Sequence, residues 1–317
     1  MLETRGLTKR YGRTTAVDDL SIAVQPGRVT GFVGPNGAGK TTTMQLLLGL
    51  AGADAGEALV GGRRYATIDR PMTVVGALLD AGAVHPSRSA RNHLRWLAQS
   101  NDIPTRRVDE VLELVGLSRA ARRRVRTFSL GMKQRLGVAA ALLGDPPILI
   151  LDEPTIGLDP EGMRWMRQTL RALADEGRTV FVSSHLMSEL EGTADQVIVI
   201  GRGRLLADVS VRELVSAASD GRVEIVTPEA AAAMPILADA GATVISSGDD
   251  RLIVSAIAPA LVAQLFATHR LPLEGLASSR ATLEDAYFRL TRDAGEHVAA
   301  PIAPERSRAR STRSPRS

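Results

Sequence analysis

One stretch, Gly34 to Thr42, constrains this chain more than any other. It reads GPNGAGKTT and fits G-x-x-x-x-G-K-[ST], with Gly34, Gly39, Lys40 and Thr41 in the fixed places. Val29–Val33 upstream reads as a short buried strand, and Thr41–Leu50 downstream as a helix with Met44, Leu47 and Leu48 at helical spacing. A strand entering such a loop and a helix leaving it aim backbone N–H groups, and the positive end of the helix dipole, at the phosphates of a nucleotide. Asn36, Gly37 and Thr42 belong to the same phosphate-facing loop. Lys40 adds a compact charge, and the Thr41 hydroxyl is placed to ligate Mg²⁺. The competing reading of the motif alone is a plain glycine-rich turn. The stretch asks for an α/β sheet and names a nucleotide without naming its use.

A chain of 317 residues is long enough for two cores. No apolar run approaches the ~18 residues of a membrane span, and Met1–Arg13 carries charges throughout, with no apolar secretion signal. The lack of cysteine excludes disulfides, thiol nucleophiles and thiolate metal sites, and the five histidines show no metal spacing. We expect a soluble intracellular protein. Five arginines at 306, 308, 310, 313 and 316, set against Glu305, account for the whole net charge of +4. Residues 1–300 are therefore balanced, which argues against a nucleic-acid-binding face. Lysine occurs only at positions 9, 40 and 133 in this arginine-rich chain. Position 40 is where a planar guanidinium would not fit and a compact ammonium would.

In chain order, Leu2–Tyr11 and Ala16–Val24 read as an antiparallel pair, and Gln25-Pro26-Gly27 turns into the buried strand. Tyr11, at a strand end, either stacks on a purine ring or covers a sheet edge. Glu57–Val60 and Val74–Leu79 read as strands, the second ending at Asp80, and Arg88 to about Leu117 reads as helical. Phe128–Arg135 (FSLGMKQR) precedes a helical pattern at Leu136–Leu143; its serine and glycine suit an ordinary helix cap or an anion site. Ile148–Leu151 is a continuous apolar run, hence a central strand buried on both faces, and it delivers Asp152 and Glu153 at its carboxyl end. Beside a phosphate loop the first carboxylate can hold Mg²⁺, directly or through water. The second can orient and deprotonate an attacking water. Gly157–Pro160 turns into a helix, and Arg178–Ser183 is a strand followed by Ser184-His185. A lone histidine is usually structural, but one placed here can reach a γ-phosphate. Two more strands and a helix at Val211–Ala217 close this part.

These four motifs in this order resemble the nucleotide-binding subunit of an ABC transporter, over roughly residues 1–217. GPNGAGKTT is similar to the Walker A loop, and FSLGMKQR to the ABC signature through Ser129 and Gly131. ILILDEPTIGLDP is similar to Walker B with the D-loop, and VSSH to the switch-histidine loop. The signature discriminates, because phosphate loops occur in many NTPase families. The resemblance implies a P-loop NTPase fold with an antiparallel β subdomain and a helical subdomain at about 85–140. It implies ATP and Mg²⁺ as ligands, with Lys40 and Thr41 on phosphate and metal and Asp152 supporting the metal. Glu153 would polarise the water, His185 contact the γ-phosphate and Tyr11 stack on adenine. Two such subunits would join head to tail, either as a homodimer with two competent sites or as a heterodimer with a degenerate partner. Ser129 and Gly131 would then close on the partner's ATP, and Asp159 would face the other site. A separately encoded integral-membrane permease would hold the pair at the cytoplasmic face of the cell membrane. Two departures stand out. Asp80 occupies about the place of the family's glutamine; it could still approach Mg²⁺ but is shorter and lacks an amide donor. Leu130 and Met132 replace the signature's usual small residue and second glycine.

Beyond about Gly221 the order βαββαβ suggests a small ferredoxin-like α+β module with no carboxylate cluster and no glycine-rich loop. We expect a nucleotide-binding domain at 1–218, an accessory domain at 219–295 and a basic tail at 296–317 whose composition predicts disorder. Leu283–Thr291 (LEDAYFRLT) resembles the closing segment of bacterial drug- and antibiotic-export ABC ATPases. The resemblance thus implies an ATPase energising export of a drug, antibiotic or other amphiphile. The alternative is a non-transport ABC ATPase acting on a nucleic-acid or assembly partner. Its common forms carry a long coiled-coil insertion or a second nucleotide domain, and neither is present here, so no nucleic-acid partner is expected. A non-hydrolysing, ATP-gated clamp sits poorly with Glu153 and His185.

Overall fold

A computed structural model of the protein describes residues 1–218, 223–278 and 282–293. The chain begins β1 (Leu2–Tyr11), β2 (Thr14–Val24), β3 (Arg28–Val33), α1 (Lys40–Leu47), β4 (Ala55–Val60), β5 (Val75–Leu78). A helical stretch follows: α2 (Ala90–Ser100), α3 (Arg106–Leu114), α4 (Leu130–Leu142). The chain then re-enters the sheet with β6 (Ile148–Leu151), α5 (Pro160–Asp175), β7 (Thr179–Ser184), α6 (Met187–Leu190), β8 (Gln196–Gly201), β9 (Arg204–Ser210) and α7 (Val211–Ala218).

The central sheet has the order β5-β6-β7-β3-β8-β9, parallel except for the edge strand β9. β6 is apolar without a break because both of its faces are covered, and alternate residues of the central strands serve two different cores. Val29, Leu149, Leu151, Val180, Val182, Val197 and Val199 face the core built with α4 and α5. Phe32, Ile148, Ile150, Phe181, Ile198 and Ile200 face α1 and the antiparallel sheet β2-β1-β4. Phe32 and Phe181, on neighbouring strands, meet with ring centroids 5.0 Å apart. The phosphate loop and its helix are therefore clamped between two sheets.

The helical stretch expected from Arg88 to Leu117 is two helices. Asp102 with φ +52° and Pro104 break it, since neither continues a helical ladder. The helix expected at Leu136 begins at Leu130 instead, capped by Ser129, whose hydroxyl accepts from Met132 N at 3.2 Å. Its first turn carries Gly131 and Lys133, so it has no apolar period to betray it.

On α2, His93 is buried, and its Nδ1 has no hydrogen-bond partner. Burial, and then the Arg88 charge, push its pKa below the ordinary histidine value. As pH falls below about 6.5 the unfolded chain takes up a proton that the folded chain refuses, so stability falls with it. Thermal melts between pH 7.5 and 5.5 should therefore show a midpoint dropping by a few degrees in the native chain. In His93→Leu, which cannot titrate, the slope should be shallower; identical slopes would remove His93 from the account.

The C-terminal region is β10 (Val223–Val226), α8 (Ala230–Asp239), β11 (Thr243–Ser246), β12 (Arg251–Ser255), α9 (Pro259–Thr268), β13 (Gly275–Ser278) and α10 (Leu283–Asp293). The sheet order β11-β12-β10-β13 is antiparallel throughout. Each βαβ unit is thus split by a strand of the other, the ferredoxin-like arrangement expected. Ile225, Leu237, Val254 and Phe266 centre a core of its own.

The expected boundary 219–295 needs correction at its end. Leu283 and Ala286 of α10 are buried in the core of the nucleotide domain, not in that of the module. α10 packs on α7 and α6. The LEDAYFRLT helix presents an apolar face, and that face belongs to the first domain. The tail expected at 296–317 lies outside the described residues.

Candidate nucleotide site

β6, β7 and β3 stand side by side, and the pairings Val33↔Ser184 and Leu151↔Val182 bring their ends level. Gly34, Asp152 and Ser184-His185 therefore emerge along one sheet edge, outside the carboxyl ends of the strands, where open α/β sheets bind ligands. A cavity of about 470 Å³ lies there, lined by Ala16, residues 35–42, Glu153, Ile156 and His185.

Two glycines shape the loop. Gly39 has φ +105°, and a Cβ on it would lie 2.3 Å from the Ala16 carbonyl oxygen. A Cβ on Gly34 would lie 2.4 Å from that of Ile200. Lys40 is only 7% exposed, and its ammonium donates to the carbonyls of Gly34 at 2.6 Å and Pro35 at 3.3 Å. Burial pushes its pKa below the ordinary lysine value, opposed by the carboxylates of Glu153 and Asp152. Thr41 Oγ1 donates to Asp152 Oδ2 at 2.6 Å.

Glu153 adopts φ +48°, a left-handed conformation that costs a non-glycine residue ~1 kcal/mol or more. Two neighbours hold its backbone, and two more meet its side chain. The Ser183 hydroxyl, itself donating to Asp152, accepts from Glu153 N at 2.9 Å. Gln134 Nε2 of α4 donates to the Glu153 carbonyl at 3.1 Å. His185 Nδ1 meets Glu153 Oε2 at 2.8 Å, and Lys40 Nζ lies 3.9 Å from Glu153 Oε1. Glu153, His185 and Lys40 thus form one connected cluster.

The donor set also suits a nucleotide-bound Mg²⁺. Thr41 and Asp152 offer adjacent hard oxygens. Among the described residues no three His, Cys, Asp or Glu side chains gather into a metal cage. Mg²⁺ characteristically takes one or two protein oxygens and completes its shell with phosphate and water.

Other expected site residues stand elsewhere. Ser129 and Gly131 do not line this cavity; they lie at the start of α4, where Gly131 packs against the Gly157–Leu158 turn. Leu130, one of the two departures in the signature, covers Gly157, where any Cβ would lie 2.4 Å from it. Asp159 caps α5, accepting from Gly162 N at 2.8 Å. Tyr11 is half exposed at the end of the β1–β2 hairpin under the Lys9 ammonium, off the cavity that Ala16 lines. Asp80 is not brought to the cavity. It follows β5, three strand spacings (~14 Å) from β3, and its Oδ1 accepts from Gly82 N at 2.6 Å. Two residues of the site escaped the sequence reading, Ser183 and Gln134. A hydroxyl ending an otherwise apolar strand was the available signal for Ser183; Gln134 left none.

Known proteins show which family shares this sequence and fold. The family described as ABC transporter matches residues 17–156, and a domain of unknown function matches 221–284. The bacitracin transport ATP-binding protein of Bacillus licheniformis is 42% identical over 212 residues, 66% of this chain and 69% of that one. The Nod factor export ATP-binding protein I of Ralstonia nicotianae is 34% identical over 300 residues, 92% and 94% of the two chains. Among solved structures, a dimeric ATP-binding cassette bound to ADP and Pi superposes with a TM-score of 0.61 at 23% identity. The match covers 66% of this chain and 98% of that one, a likeness of fold. With a complete phosphate loop, a signature and a carboxylate–histidine pair in this arrangement, the chain belongs to the ATP-binding proteins of ABC transporters.

Proposed function

We propose that two copies of this chain close on two ATP molecules, hydrolyse them, and so power export of a drug, antibiotic or similar amphiphile through a separate integral-membrane permease. The observation that carries the reading is a division of labour within one chain. Lys40, Thr41, Glu153 and His185 line one cavity, with Asp152 behind Thr41, while Ser129 and Gly131 lie off it, which suits service to a second copy's nucleotide. Leu130, Ile156 and Leu186 are large apolar side chains left exposed near these two surfaces, as a docking face requires.

In each site Lys40 and the loop amides hold the β- and γ-phosphates. Glu153 takes a proton from water as its oxygen attacks the γ-phosphorus, and the bond to the bridging oxygen breaks, releasing ADP and phosphate. His185, fixed through Nδ1, presents its other edge to the γ-phosphate. Mg²⁺, held by Thr41 and Asp152, would neutralise charge on the phosphates. Tyr11 is assigned to the adenine side. The transport names of the relatives support the export reading, and among the described residues no helix is long and apolar enough to cross a membrane. On this reading a separate partner spans the membrane and would hold this subunit against the membrane face.

Turnover per subunit should rise with protein concentration through a monomer–dimer transition, and the chain should co-purify with its permease from detergent extracts. Concentration-independent turnover would remove the dimer from the reading; failure to associate with membranes containing that permease would remove transport.

A further inference from the structure

Glu189 takes no part in the chemistry above, yet it touches both segments that carry it. It lies on α6, half-buried, and its Oε2 accepts from Thr155 Oγ1 at 2.8 Å and from Ser184 Oγ at 2.7 Å. Thr155 follows Glu153 by two residues, and Ser184 immediately precedes His185. Ser184 Oγ in turn accepts from Leu186 N at 3.0 Å, closing a turn around the histidine. Ser184 is 1% exposed, so water cannot replace the carboxylate there. β6 ends at Leu151 and the parallel ladder to β7 ends with it. Past that point Pro154 has no N–H to donate. One carboxylate oxygen therefore joins the two segments, through their side-chain hydroxyls, just beyond the end of their ladder.

We infer that Glu189 is a positioning residue for ATP hydrolysis: by clamping Thr155 to Ser184 it sets the spacing between Glu153 and His185. The inference rests on the reading of Glu153 as the base. It separates charge from geometry, because a glutamine carbonyl oxygen, with two lone pairs, can accept both hydroxyls, whereas methionine has the length without a comparable acceptor.

The test uses the full-length chain, with Mg-ATP turnover and thermal melts measured for each variant. Glu189→Met should lower kcat about tenfold with KM for ATP within about twofold, the signature of a misplaced reacting group rather than a lost binding site. Glu189→Gln should stay within about threefold of the native chain. Thr155→Val approaches the bridge from its other end. It should lower kcat about as far, and adding it to Glu189→Met should cost little more. Native kcat in Glu189→Met or Thr155→Val overturns the inference, as does a Gln variant as impaired as the Met variant. If Glu189→Met does not fold, Thr155→Val and Glu189→Gln decide alone. Glu153→Gln keeps the two readings apart: turnover surviving there refutes the base itself, whereas its loss there beside a native Glu189→Met refutes only the clamp.

Discussion

Glu153→Gln is expected to lower ATP turnover by about 10²–10⁴-fold while leaving nucleotide affinity within a few-fold. The amide has nearly the carboxylate's shape and can still meet His185, but it cannot take a proton from water at neutral pH. The bonds that fix the Glu153 backbone come from Ser183 and Gln134, and neither involves its side chain, so the site should keep its form. Lys40, Thr41 and Asp152 remain to hold the phosphates. ATP that binds without being cut should then trap the closed pair, visible as a stable dimer in size-exclusion chromatography with Mg-ATP and a monomer without it. Turnover at the native level would show that another group activates the water.

Lys40→Ala and Lys40→Arg are both expected to weaken ATP binding by roughly 30- to 4,000-fold, measured by titration with a fluorescent ATP analogue. Removing one partner of a buried charged pair costs about 2–5 kcal/mol, and each 1.4 kcal/mol is a factor of ten. The arginine variant is the more informative of the two, because it keeps the charge. The site of the ammonium lies between the carbonyls of Gly34 and Pro35, 7% exposed, with Gly34 pressed against Ile200. A planar fork of five donors has no room to turn there. Near-native affinity in Lys40→Arg would mean that the loop opens more easily than its packing implies.

How much of this could be read from the sequence depended on whether the determinant was local. The strand–loop–helix unit at 29–50 was legible because each part is set by adjacent residues, and so was β6, whose two-sided burial appears as four apolar residues in a row. The split ferredoxin-like order was legible from element order alone. The start of α4 was not, because Ser129 caps a turn whose side chains follow no apolar period. Nor was the left-handed backbone of Glu153, which is held by a serine and a glutamine distant in sequence. The placing of Asp80 was not legible either: sheet order, a non-local property, sets β5 three strands from β3 but next to β6, which delivers Asp152. The boundary at 295 failed because apolar periodicity shows that a helix has a buried face without showing what covers it.

The return of α10 onto α6 and α7 carries a consequence for how the protein is made. Leu283 and Ala286 complete a core whose other members lie before residue 218, so the nucleotide domain is a host whose last piece is synthesised after its guest. At ribosomal speeds that piece arrives on the order of ten seconds after α7. Until then α6, the helix just past His185, lacks its cover. A ribosome that stalls within the accessory module would release a chain bearing every nucleotide-binding motif but an unfinished core. The last cover of α6 thus joins the first domain only after the accessory module has been translated.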